Sequence, residues 1–259
     1  MSRIHPTAII HNGAEIGEGT VIGPYSIIGP EVKLGKDNRI GSHVVIDGKT
    51  RIGDNNIIFP FASIGLPPQD LSYRGEPTEV IIGNGNTIRE GVTIHRGTVR
   101  GTGITRIGDH NYLMAYSHVA HDCKIGNHVI MANYAALAGH VVIDDFAVLG
   151  GLVGVHQFVR IGKYAFIGGM TGISMDVPPF TIAAGDRAKL YGLNIVGLKR
   201  AGFSQETISA LKKAFKILFR SAFTLQKAIE KIRSEMIPTR EVEELILFLE
   251  APSRRGITR

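Results

Sequence analysis

Residues 15–46 read "EIGEGTVIGPYSIIGPEVKLGKDNRIGSHVVI", with Ile or Leu at 16, 22, 28, 34, 40 and 46, several followed by glycine. A strand alternates with period 2 and an α-helix repeats every 3.6 residues, so a strict period of six fits neither. A hexapeptide repeat does fit, with one short strand per hexad and three hexads to each triangular coil of a parallel β-helix. Outward from this stretch the phase runs unbroken from Ile4 to Ile64, resumes over Ile82, Ile88 and Ile94, and continues from Ile107 to Ile173.

Two segments break the phase, "LPPQDLSYRGEPTE" (66–79) and "RGTVRGTGIT" (96–105). Both are rich in turn residues and are expected to loop out of the prism. The repeat ends at "MDVPPF" (175–180), where helical signals begin. Phe203 before Ser204, with Ile208 following, has the spacing of a hydrophobic staple around an N-cap and starts a helix over "QETISALKKAFKILFRS". Thr224 and Thr239 are positioned to cap two further helices, with Pro238 between them. The expected division is a β-helix over 1–185, with insertions at 66–79 and 96–106, and a helical domain over 186–259.

The net charge of +6 and a pI near 9.5 favour an acidic partner. Basic residues without interleaved aromatics argue against nucleic acid. Lys212, Lys213, Lys216 and Arg220 give the first long helix a basic side, which reads as a solvated face or a docking surface. There is no run of apolar residues long enough to span a membrane, and "MSRIHPTAII" lacks a signal-peptide pattern, so a cytoplasmic location is expected. The single cysteine, Cys123, excludes a disulfide or multi-thiolate metal site within one chain.

The phase also places the histidines. Val119, Leu137 and Val155 are 18 apart and occupy one face on three successive coils. His118 precedes the first and His121 follows it by two; His140 follows the second by three and His156 the third by one. All four gather along one edge, over roughly 10 Å of axis. A neutral imidazole takes a proton near pH 7, and a carboxylate such as Asp122 fixes its tautomer. Contact between His121 and Asp122 requires a turn, because neighbours in a strand point apart. Gly139, one coil beyond His121, leaves room for substrate and an N–H for an oxyanion. His110 and His128, also 18 apart, read as a structural stacked pair. Gly151 and Gly169 form a side-chain-free strip that suits an extended hydrocarbon, where one coil corresponds to roughly four methylenes.

"VAHDC", "LAGHV", "GVHQF", "DVPP", "GLNIVGLKRAGFS", "PPQDLSYRGEPT" and "TIHRGTV", in their order here, resemble the UDP-N-acetylglucosamine 3-O-acyltransferases of lipid A biosynthesis over nearly the whole chain. The resemblance implies a mainly β fold, a left-handed parallel β-helix with a C-terminal α-helical domain, assembled as a homotrimer with sites between subunits. It implies transfer of an R-3-hydroxyacyl group from acyl carrier protein to the 3-hydroxyl of UDP-N-acetylglucosamine, with no cofactor and no metal. His121 matches the general base, Asp122 its orienting partner and Gly139 the oxyanion donor. Gln69, Asp70, His118, His140, His156, Gln157, Asn194 and Arg200 match substrate positions. Gly169 matches the chain-length ruler, with Gly151 and Met170 beside it. Val196, Ala201 and Ser72 depart from the family pattern, where Glu, Arg and Lys are common; the first leaves a 3-amino acceptor open, and the other two bear on phosphate or carrier contacts.

Three other readings compete, one of them a non-catalytic β-helix that only scaffolds an assembly and needs no histidine edge. An N-acyltransferase of the same pathway carries an N-terminal uridine-binding domain, whereas the hexads here begin at Ile4. A hexapeptide-repeat carbonic anhydrase would use clustered histidines to bind zinc, but gives no role to "GLNIVGLKRAGFS".

Overall fold

The computed structural model describes residues 3–235 and 238–259. Its prism has three faces, each a ladder of mostly two-residue strands with parallel pairing. Face A starts at Arg3–Ile4, face B at Ile9–Ile10 and face C at Glu15–Ile16, and among the described residues they hold 11, 9 and 8 strands. The hexad aliphatics point inward and stack in register, as in Val119 on Leu137 on Val155. They form one continuous buried core that reaches the helical part.

The corners use the left-handed region of φ. Among the described residues, Tyr116, Asp122, His128, Tyr134, His140, Phe146, Leu152, Phe158, Tyr164 and Met170 all have φ between 55° and 67°. This strain is unusual outside glycine. Aromatic corner side chains stack from coil to coil, as expected for His110 and His128, whose ring centroids are 5.2 Å apart. That column continues through Phe146 and Tyr164. Inside this same corner, between faces C and A, runs a buried ladder of asparagines. The Oδ1 of Asn38, Asn56 and Asn86 each accept from the backbone N–H and side-chain amide of the next asparagine, ending at Asn111.

The expected boundary at 185/186 is corrected by a hairpin that crosses it. Strands Thr181–Ala184 and Lys189–Leu193 pair antiparallel and extend face A. The turn between them lets the chain double back and cover the open end of face A, so the prism runs to Leu193. The loops are also shorter than read, because flanking strands include Leu66, Glu79 and Ile104.

Among the described residues four helices follow: α1 (Ile195–Arg200), α2 (Gln205–Arg220), α3 (Leu225–Glu235) and α4 (Arg240–Glu250). Ser204 and Thr239 cap α2 and α4 through their hydroxyls, as the spacing predicts. After α4 the chain returns to the prism and Ile257 bridges Asp176 in parallel.

Asn86→Ala is expected to lower the unfolding free energy by roughly 2–4 kcal/mol, because it leaves the buried N–H and amide of Asn111 without their acceptor. A urea midpoint shifted down at unchanged slope would verify this. An unshifted midpoint would show that the ladder contributes nothing.

Candidate active site

The turn that the histidine pair requires is present. His121 and Asp122 form the corner between faces B and C, with φ of 59° at Asp122. The left-handed backbone swings the carboxylate under the imidazole, and His121 Nδ1 lies 2.9 Å from Asp122 Oδ2. Loop 96–103 wraps this carboxylate. Thr98 donates to Oδ2 from N at 3.0 Å and from Oγ1 at 2.7 Å; Thr102 N and Gly103 N donate to Oδ1 at 2.9 and 3.1 Å.

Burial would raise the pKa of Asp122, but the hydrogen bonds from His121 and Thr98 and the field of His140 outweigh it and hold the carboxyl at about 2. Asp122 is therefore an anion that only accepts. His121 must then donate from Nδ1, so that its neutral form carries the lone pair on Nε2.

That lone pair sits against the backbone of the next coil. A Cβ added to Gly139 would fall 2.6 Å from His121 Nε2, so any side chain there would occupy the place of a reacting atom. Among the described residues the N–H of Gly139 makes no hydrogen bond, which leaves it available beside the imidazole.

His118, His121, His156, Gln69, Gln157 and Gly139 line one cleft of about 750 Å³. His140 and Asp70 line an adjoining one of about 520 Å³ that shares His121, Gln69 and Gln157. The four histidines thus converge as the phase implies. His140 packs edge-on to His121, with ring centroids 5.1 Å apart, and Nε2 4.0 Å from Asp122 Oδ2. Burial, then the field of His121, lowers the pKa of His118, whose Nδ1 pairs with Thr93 Oγ1 at 2.7 Å. Behind it lies His95, which the sequence did not single out; burial and then His118 push it down to about 4. Ser72, a departure from the family pattern, orients Asp70, since its N and Oγ each donate to Asp70 Oδ1 at 2.8 Å.

Other expected residues lie elsewhere in the single chain. Asn194 caps α1 and donates to Tyr164 O at the corner between faces C and A. Arg200 ends α1, while Val196 is exposed and Ala201 closes the helix through its N–H. Gly151, Gly169 and Met170 occupy the corner between faces A and B, with Met170 75% exposed. The side-chain-poor track beside His121 is instead on face B, where Ala136, Gly154 and Gly172 stack under His118.

Cys123 is buried, and burial followed by the Asp122 charge pushes its thiol up to about 12. At neutral pH it is not a nucleophile. His121, Asp122 and His140 bring three potential metal-ligand atoms within 4.8 Å of one another. A metal would compete for the Asp122 oxygens with the donors of Thr98, Thr102 and Gly103.

The chain is similar to known proteins over its whole length. A family model for UDP-N-acetylglucosamine O-acyltransferase, domain 2, matches residues 176–258, and one for bacterial transferase hexapeptide repeats matches 13–48 and 104–139. An acyl-[acyl-carrier-protein]–UDP-N-acetylglucosamine O-acyltransferase of Thermodesulfovibrio yellowstonii is 61% identical over 259 residues, the full length of both chains. The chain belongs to this acyltransferase family. A relative of the same name from Syntrophobacter fumaroxidans is 57% identical and covers 99% of this chain and 100% of its own. The LpxA structure from Acinetobacter baumannii superposes with a TM-score of 0.96 at 49% identity, covering 99% of each chain. The left-handed β-helix and the acyltransferase class are those of the family.

Asp122 makes a specific contribution to acid stability. Its folded pKa of about 2 lies below the ordinary 3.8, so its stabilisation is complete above pH 4 and is lost as pH falls toward 2. Asp122→Asn should be less stable at pH 7, and the difference from the wild type should narrow through that window. A difference independent of pH would place the ionised carboxylate outside the native network.

Proposed function

We propose that this acyltransferase moves an R-3-hydroxyacyl group from acyl carrier protein to the glucosamine 3-hydroxyl of UDP-N-acetylglucosamine, the first step of lipid A biosynthesis. The observation that carries the reading is the His121–Asp122 pair, with Nε2 of the imidazole beside the open N–H of Gly139. Nε2 takes the proton of the sugar 3-hydroxyl as its oxygen attacks the thioester carbonyl. Asp122 stabilises the resulting imidazolium, and the Gly139 N–H faces the carbonyl oxygen as it gains charge. Collapse breaks the carbon–sulfur bond, and the departing carrier thiolate recovers the proton from His121. The transfer is direct, since the only thiol, Cys123, is buried and protonated. No cofactor or metal takes part.

Gln69, Asp70, His118, His140, His156 and Gln157 surround this centre and are assigned to substrate contacts. Asn194 and Arg200 cannot join them within one chain, because they belong to another part of the prism. A homotrimer, in which a neighbouring copy supplies them, resolves this. In its favour, Phe61, Tyr116, Tyr134, Leu152 and Met170 form an exposed apolar ridge along the corner between faces A and B. Burial of such a ridge between copies is the ordinary way to remove it from water. The same packing would bring Gly151, Gly169 and Met170 against the face-B track of another copy, as the far wall of an acyl groove. Among the described residues no helix is long and apolar enough to cross a membrane; use of acyl carrier protein as donor supports a cytoplasmic location.

The test is transfer from hydroxyacyl carrier proteins of graded length to UDP-N-acetylglucosamine and to its 3-amino analogue. Turnover with the hydroxyl acceptor and a preferred long donor is expected; failure with every pair, or a tightly held stoichiometric zinc, would overturn the proposal. In the same series Gly169→Met should shift preference to shorter donors. An unchanged preference would move the end of the groove to Gly154 and Gly172.

A further inference from the structure

The segment after α4 reaches the active-site cleft. Asp176 N donates to Gly256 O and Thr258 N to Asp176 O, each at 2.8 Å, and Thr258 is buried. Ser253 Oγ accepts from Arg255 N and Gly256 N, which tightens the turn before this strand-like pairing. With both sides of the turn anchored, Arg254 and Arg255 are presented to residues 156–158.

Arg255 holds the rim at two points. Its Nε donates to Gln157 O at 2.9 Å, and its Nη2 lies 2.7 Å from His156 Nε2. A guanidinium has five donors and no acceptor. His156 Nε2 must therefore present a lone pair, and its proton belongs on Nδ1, which sits 3.3 Å from Gln157 O. Arg254 lies over the Phe158 ring at 4.6 Å, and Phe158 stacks on His140 at 4.5 Å. His140 is in turn the edge-on neighbour of His121. Arg255 thus touches His156 directly, while Arg254 covers the Phe158 ring that stacks on His140.

We infer that Arg255 is a positioning residue for the acyl transfer, holding His156 as a neutral Nδ1–H imidazole and fixing the 156–158 rim of the cleft. This rests on the proposed reaction only for its catalytic consequence; the tautomer follows from the donor chemistry alone. With its Nε2 lone pair engaged by a cation, His156 is not a second base, and proton transfer belongs to His121 alone. A neutral His156 also spares the imidazolium formed on His121 the repulsion of a second positive ring in the same cleft.

The test compares the wild type with Arg255→Met, which removes the donor, and Arg255→Lys, which keeps a donor-only cation. Histidine-selective ¹⁵N NMR at neutral pH reads the tautomer, with the His156 signal assigned by its loss in His156→Gln. The wild type is expected to show Nδ1–H, Arg255→Met a shift toward Nε2–H, and Arg255→Lys a return to Nδ1–H. Arg255→Met should lose roughly 10-fold in kcat/KM for acyl transfer at an unchanged melting temperature, with much of it regained in Arg255→Lys. A wild-type His156 that is cationic or Nε2–H overturns the inference, as does Arg255→Met with wild-type tautomer and wild-type kcat/KM. An Arg255→Met chain with a lowered melting temperature and no change of tautomer would make Arg255 a structural tie only, which also overturns it. Absence of transfer by the wild type, with the tautomers as expected, would fault the proposed reaction and not the Arg255–His156 assignment.

Discussion

Everything in this protein depends on the 18-residue coil, which stacks each uninterrupted residue on one a single strand spacing away, about 4.8 Å. The spacing is small enough that a corner side chain meets the backbone of the next coil directly. His121 therefore lies against Gly139, and a Cβ at that glycine would collide with the imidazole. The same spacing stacks His110 on His128 and carries the asparagine ladder. One repeat thus sets the core, the corners and the distance between the base and the nearby N–H.

The corner conformation turns this scaffold into a site. A left-handed residue at 122 points its carboxylate back under its neighbour, which an extended strand could not do. The carboxylate then needs donors, and the loop at 96–103 brings three backbone N–H groups and a hydroxyl. That saturation keeps Asp122 ionised despite its burial, and the ionised form dictates which nitrogen of His121 is free. Folding and chemistry are joined here, since the loop that breaks the repeat makes the carboxylate an acceptor only.

The hexad phase made the prism, the gathered histidines and the opposition of His121 to Gly139 legible, because each follows from counting in sixes and eighteens. The caps at Ser204 and Thr239 were legible for the same local reason: short-range spacing decides them. What depends on loop conformation was not. Nothing periodic assigns Thr98, Thr102 and Gly103 to Asp122, or sends Arg255 back to His156 across 99 residues of sequence. The hairpin over 181–193 was missed because an antiparallel return has no hexad phase. The glycines at 151 and 169 drew attention to one corner, although the same arithmetic stacks Ala136, Gly154 and Gly172 directly under His118.

The central claim is that His121, oriented by Asp122, is the base of a direct acyl transfer. Its most direct test is the transfer rate of His121→Ala, measured on protein with wild-type far-ultraviolet circular dichroism and assembly. Loss of the base should lower kcat by at least about 100-fold, with carrier-protein binding retained. A rate within a few-fold of the wild type would contradict the account and place the proton transfer elsewhere in the cleft.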